Sequence, residues 1–112
     1  MCIRDRDAAG AVAGCGPAFA CLFLEALADG GVACGLPRRK AYEYGAQMLL
    51  GTASLFLATG DHPGVLKDAV CSPGGSTVQG VRVLEERGLR GAVIDAVLAA
   101  WERSGRLGKP VL

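Results

Sequence analysis

The chain has 112 residues, of which 51% are hydrophobic, 21% charged and 5% aromatic, and its formal net charge is +1. That length fits one domain, and the composition excludes a disordered tail, a collagen-like repeat and a disulfide-stapled miniature. Twelve Lys+Arg balance eleven Asp+Glu and the only basic run is Arg38-Arg39-Lys40, so no field attracts a phosphate backbone and nucleic acid is not expected as a partner.

In chain order, the N-terminus shows no basic patch leading into an apolar stretch and a small-residue cleavage site, so a secretory leader is not expected. The first predicted helix opens at Pro17 and runs through Ala18-Phe19-Ala20-Cys21-Leu22-Phe23-Leu24-Glu25-Ala26-Leu27-Ala28 to a stop at Asp29-Gly30-Gly31. Proline in the first turn and glycine after the last are the asymmetry a helix favours. Glu25 is its single charge, so it is apolar nearly all round and needs cover on more than one side. A second helix is predicted from Leu36-Pro37 to Thr59-Gly60, basic at its start and uncharged over residues 44–60. The uncharged stretch is too polar and slightly too short for a bilayer span, so no membrane is expected and it reads as a buried helix. Gly45 and Gly51 inside it each cost roughly 1 kcal/mol against Ala, which is tolerable where a neighbouring helix packs on the bare backbone.

Asp61-His62-Pro63 reads as a turn in which Asp61 or His62 caps a short helix over residues 64–70. Ser72-Pro73-Gly74-Gly75-Ser76-Thr77 breaks the pattern before a helix over residues 78–87, closed by Gly88; the valines at 78, 81 and 83 alternate too imperfectly for a strand. Val93, Ile94, Val97, Leu98 and Trp101 then recur at helical spacing while Asp95, Glu102 and Arg103 fall off that stripe. With no segment reading as a strand, the expected fold class is all-α with about five helices. The apolar surplus on the first two suggests intertwining with a second copy.

The five cysteines are odd in number and form no Cys-x-x-Cys pair, which fits reduced thiols packed as small hydrophobes. With one histidine in the chain, no metal site is expected. Seventeen glycines are about twice the usual ~7%, and two glycine-rich turns stand out. In Ser72-Pro73-Gly74-Gly75-Ser76-Thr77 the glycines free the backbone while the helix start leaves amides unpaired, a cradle for a small carboxylate or phosphate. No lysine follows the glycines, so nucleotide hydrolysis is not supported. The same spacing also fits a plain Pro-Gly turn with a Ser/Thr N-cap. Gly14-Cys15-Gly16-Pro17 could bring backbone close to a flat ligand, although position 19 is Phe and no strand precedes it, unlike a dinucleotide fingerprint. Cys71 and His62 lack a visible catalytic partner, so an inert buried thiol and a cap are the simpler readings.

Taken together, Gly14-Cys15-Gly16-Pro17-Ala18-Phe19, Glu25-Ala26-Leu27-Ala28-Asp29-Gly30-Gly31-Val32, Gly35-Leu36-Pro37-Arg38, His62-Pro63-Gly64 and above all Leu66-Lys67-Asp68-Ala69-Val70-Cys71-Ser72-Pro73-Gly74-Gly75-Ser76-Thr77-Val78-Gln79-Gly80 form an ordered set. In order and spacing this set resembles the C-terminal helical domain of the pyrroline-5-carboxylate reductase family. The resemblance runs from about Asp7 to Leu107; residues 1–6 lie outside it, and 7–112 are expected to form a helical dimerisation and substrate-binding domain.

The resemblance implies a cytoplasmic oxidoreductase of proline biosynthesis in which NADPH or NADH gives hydride to the C=N carbon of 1-pyrroline-5-carboxylate. It also implies a homodimer or higher homo-oligomer. Carried over residue by residue, Ser72 and the amides around Gly74, Gly75, Ser76 and Thr77 would hold the substrate carboxylate. The Thr77 hydroxyl would face the ring nitrogen as the catalytic group, and Cys15, Gly16 and Pro17 would lie near the nicotinamide. The family's N-terminal dinucleotide-binding domain is absent, so the chain looks like a fragment and is expected to be inactive alone. The alternative is a non-enzymatic helical dimerisation module that keeps the fold without redox activity.

Overall fold

The structure is a computed structural model that describes residues 3–107, with side chains over residues 5–104. Among the described residues there are six α-helices and no strand: α1 (Ile3–Ala9), α2 (Gly16–Ala33), α3 (Arg38–Thr59), α4 (Pro63–Val70), α5 (Ser76–Glu86) and α6 (Leu89–Leu107), with a π-helical turn at Gly10–Gly14. The all-α class holds. All five expected helices are present, preceded by α1 and the π turn, which the sequence did not announce. By contacts the chain groups into two compact units, Leu22–Leu84 and Met1–Cys21 with Glu85–Leu112.

Within the unit Leu22–Leu84, α2 continues past its expected stop at Asp29-Gly30-Gly31 and ends at Ala33. Gly31 stays helical because a neighbour occupies its bare side: a Cβ there would lie 3.2 Å from both the Ala41 Cβ and the Leu36 Cδ1. The stop is Gly35, at φ 104°. Its N–H bonds the Val32 carbonyl at 2.9 Å and the Leu36 N–H bonds the Gly31 carbonyl at 2.9 Å, the paired closure of a Schellman motif. Pro37, with φ −60° and ψ 142°, then caps α3 from outside rather than forming its first turn.

Three basic residues at the positive end of α3 oppose the helix dipole. Their charge is answered locally: Arg38 pairs with Asp29, Arg39 reaches Glu43 at 3.2 Å and Lys40 reaches the same carboxylate at 3.8 Å. The hydrogen bond that Arg38 donates to the Asp29 carboxylate holds its guanidinium above its ordinary range. Since the folded value is the raised one, this pair's contribution is present at every pH below that range and is lost only in strong base. The pair is exposed, so its contribution is small. Arg38 also lies 6.0 Å from the centre of the Tyr42 ring.

Packing between α2 and α3 is tight but thin. A Cβ on Gly45 would come within 2.8 Å of the Leu24 Cδ1, and the buried residues here are Ala28 and Ala41. The sequence led us to expect residues 44–60 to be buried, yet every residue from 51 to 60 is exposed in the single chain, Leu57 by 80%. The helix ends at Gly60, φ 69°, whose N–H closes on the Phe56 carbonyl at 2.8 Å.

In the other unit, α1, the π turn and α6 pack on one another around Ala11, which is fully buried. The π turn closes with the Cys15 N–H on the Gly10 carbonyl at 3.0 Å. Its physical cause is Pro17, which has no N–H to give and whose ring would strike the carbonyl four residues back, so the backbone winds in one extra residue. Residues Ala8, Val12, Val97, Leu98 and Trp101, with Asp5 at the edge, line an open groove of about 370 Å³. The apolar stripe read on α6 is therefore only partly covered: Val97 and Trp101 are half-buried, while Val93, Ile94 and Leu98 are exposed.

Candidate functional site

The 72–77 segment is a compact turn set on the start of α5. The Gly75 N–H donates to the Ser72 carbonyl at 3.0 Å, and Gly74 has φ 69°. With Pro73 second and Gly74 third, this is the pattern of a type II β-turn, in which only the third position demands glycine for its backbone. Gly75 is bare for another reason: a Cβ there would run into the Ser72 hydroxyl and lie 3.2 Å from the Ser72 carbonyl oxygen.

Ser76 and Thr77 are the first two residues of α5. They stand inside the helix, not at its cap, which corrects both the expected start near residue 78 and the Ser/Thr N-cap alternative. Gly75 takes the position before the helix and has no side chain with which to cap it. Among the described residues no acceptor meets the amides of Gly74, Ser76 or Thr77, and no acidic side chain lies in the first turn of α5. The amide of Gly75 is spent within the turn and differs in this from the outward-facing set expected of residues 74–77.

Ser72, Ser76 and Thr77 are exposed. The structure thus brings three hydroxyl residues and unpaired amides together at the positive end of a helix, an arrangement that favours a small anion.

The turn hangs from α4. The Cys71 N–H closes that helix on the Asp68 carbonyl at 3.1 Å, and Ser72 follows directly. At the other end of α4, His62 serves as the cap: its Nδ1 accepts from the Gly64 N–H at 2.9 Å, with Pro63 as the first helical residue. Of Asp61 and His62, both weighed as the cap, the structure selects His62. The role of Gly64 was not seen in the sequence. A Cβ there would sit 3.0 Å from Nδ1 and 3.3 Å from Cε1 of His62, and a glycine second in a proline-started helix was the available signal.

Cys15, Cys21, Cys34 and Cys71 are free thiols. The expectation that the cysteines pack as buried hydrophobes fails in the single chain, where Cys21 and Cys34 are exposed and Cys15 and Cys71 half-buried. Among the described residues no three His, Cys, Asp or Glu side chains converge as a metal site would require.

The segment Gly14-Cys15-Gly16-Pro17 is not a loop. It lies on the passage from the π turn into α2, and the Cys15 amide is already bonded to Gly10. A Cβ on Gly14 or Gly16 would meet nothing within 4 Å, so neither glycine is required by packing inside this chain.

Residues 4–107 match the family described as pyrroline-5-carboxylate reductase dimerisation. The chain is 52% identical over 98 residues to a pyrroline-5-carboxylate reductase of Escherichia coli, covering 88% of this chain and 36% of that protein. It is 60% identical over 96 residues to one from Treponema pallidum, covering 86% and 36%. Among solved structures it is similar to a pyrroline carboxylate reductase of Plasmodium falciparum with NADP bound, at a TM-score of 0.91 and 37% identity over 97% of this chain and 42% of that one. The chain therefore spans well under half the length of the relatives it matches.

Proposed function

Because the chain belongs to the pyrroline-5-carboxylate reductase family, we propose that it is the part of such an enzyme that seats the carboxylate of 1-pyrroline-5-carboxylate and pairs with a second copy, in the NAD(P)H-dependent reduction that yields L-proline. The observation that carries this reading is the 72–77 turn, whose exposed hydroxyls and unpaired amides stand at the start of α5.

In this reading the amides of Gly74, Ser76 and Thr77 and the Ser72 hydroxyl hold the carboxylate. Gly75 keeps the turn closed by leaving room for Ser72. The Thr77 hydroxyl faces the ring nitrogen and fixes the plane of the imine. NAD(P)H, when bound, supplies hydride to the imine carbon. A substrate that arrives as the protonated iminium asks little proton transfer of the protein, so orientation and charge complementarity supply most of the catalysis.

For the dinucleotide itself the described residues are a poor fit. They hold no strand and no Gly-x-Gly-x-x-Gly turn, and the Cys15 amide is occupied. What they offer is a surface for the nicotinamide end at Cys15, Gly16 and Pro17. The isolated chain is accordingly proposed to be inactive and to act in the cytoplasm as part of a larger enzyme.

Exposed Leu50, Leu55, Phe56 and Leu57 on α3 support a homodimer or higher homo-oligomer, because covering each such side chain is worth roughly 1.5–3 kcal/mol. The test is to fuse residues 7–112 to a family dinucleotide-binding domain and follow NAD(P)H consumption with the cyclic imine. Turnover that falls when Thr77→Ala is introduced is expected; a folded dimer with no turnover overturns the assignment.

A further inference from the structure

α4 has eight residues, far below the ~12–15 at which a helix stands alone in water, so its ends decide whether it forms. Its C-terminal end carries the 72–77 turn, and its N-terminal end is closed by one side chain. The Gly64 amide is the donor in the 2.9 Å bond to His62 Nδ1, so Nδ1 must be without a proton and the ring hydrogen must sit on Nε2. A protonated imidazole donates at both nitrogens. It can no longer accept from Gly64, and it places a positive charge at the positive end of the helix.

We infer that His62 is a proton-sensitive positioning residue: its neutral ring closes α4, α4 holds the 72–77 turn in shape, and acid loosens the turn by removing that acceptor. The charged neighbours are Asp61 on the same loop and Lys67 and Asp68 on α4, which pair with each other at 3.4 Å. The last turn of α3, which leads into the loop, carries no basic side chain and none of the charged residues of the sequence. His62 is also the only histidine in the chain, and imidazole is the side-chain type whose charge responds to mild acid. Gly64 belongs to the same device, since any Cβ there presses on the ring.

The coupling to ligand rests on the carboxylate site proposed above; the cap itself does not. The test uses the full chain at pH 7.5 and 5.5 with two readouts: amide hydrogen exchange at residues 64–66, corrected for intrinsic rates, and the affinity for L-proline by calorimetry. Exchange is expected to quicken about five-fold at the lower pH, the size of a lost N-cap, with L-proline binding weakened by a similar factor. His62→Asn keeps an acceptor that does not titrate and is expected to hold the pH 7.5 values at both pH values, whereas His62→Ala is expected to show the looser state at both. Unchanged exchange in the natural chain, or the same pH response in His62→Asn, overturns the inference. Failure of L-proline to bind any form at pH 7.5 overturns the carboxylate site instead, and the exchange rates then judge the cap by themselves.

Discussion

The second half of α3 and the segment that follows it draw on different sources of order. Over residues 51–60 every residue is exposed and none is charged, so among the described residues little covers this stretch of the helix. Residues 61–77 are mostly exposed too, with Gly64, Leu66, Lys67, Cys71 and Gly75 half-buried, and each bend there is tied by a short-range bond: His62 to Gly64, Cys71 to Asp68, Gly75 to Ser72. The proposed site is thus shaped by neighbours in sequence, while the long apolar helix is left exposed for the second copy proposed above. A mutation in the first region should disturb assembly and one in the second should disturb ligand binding.

The strongest challenge to that contrast is a charge on the apolar helix. Leu57→Glu combined with Phe56→Asp is expected to abolish assembly in sedimentation, with a loss of several kcal/mol, since two large side chains at roughly 1.5–3 kcal/mol each no longer find cover. An unchanged dimer would show that another surface joins the copies. Next in size is Gly75→Ala. The added methyl meets the Ser72 hydroxyl, and L-proline binding is expected to fall by at least ten-fold while the sedimentation profile is kept.

Gly45→Ala sharpens the comparison from inside the α2–α3 contact: with Leu24 within 2.8 Å of the new Cβ, thermal or urea unfolding should show a loss of about 1–3 kcal/mol. Gly60→Ala, which forces a left-handed residue to carry a Cβ at φ 69°, is expected to cost about 1 kcal/mol. Asp29→Asn, removing an exposed ion pair, should have the smallest effect, leaving the thermal unfolding midpoint essentially unchanged.

Much of this was legible where proline and glycine punctuate the chain. Pro63, Pro73, Gly60 and Gly88 mark helix ends because they alter what the backbone can do, and that is a local matter. Gly30 and Gly31 carried the same signal and misled, because Gly31 answers to a close contact with Ala41 and Leu36 that only the folded pair of helices creates. Pro17 does stand in the first turn of α2, as it reads in the sequence, but no residue type announces the π turn that leads into it. At the 72–77 turn the residue types were readable and the hydrogen-bond ledger was not. Nothing in the letters says that the Gly75 amide turns inward to Ser72 and those of Ser76 and Thr77 do not.

That the only buried residues among those described are Ala11, Ala28 and Ala41 has a consequence for how the protein lives. Without a large side chain sealed in its own interior, a solitary copy has little to hold it against unfolding, and with the proposed homo-oligomer, folding and pairing are expected to be one concentration-dependent event. Its melting temperature should climb with dose, and in a sparsely expressing cell the unpaired chain should be the species that proteases remove first.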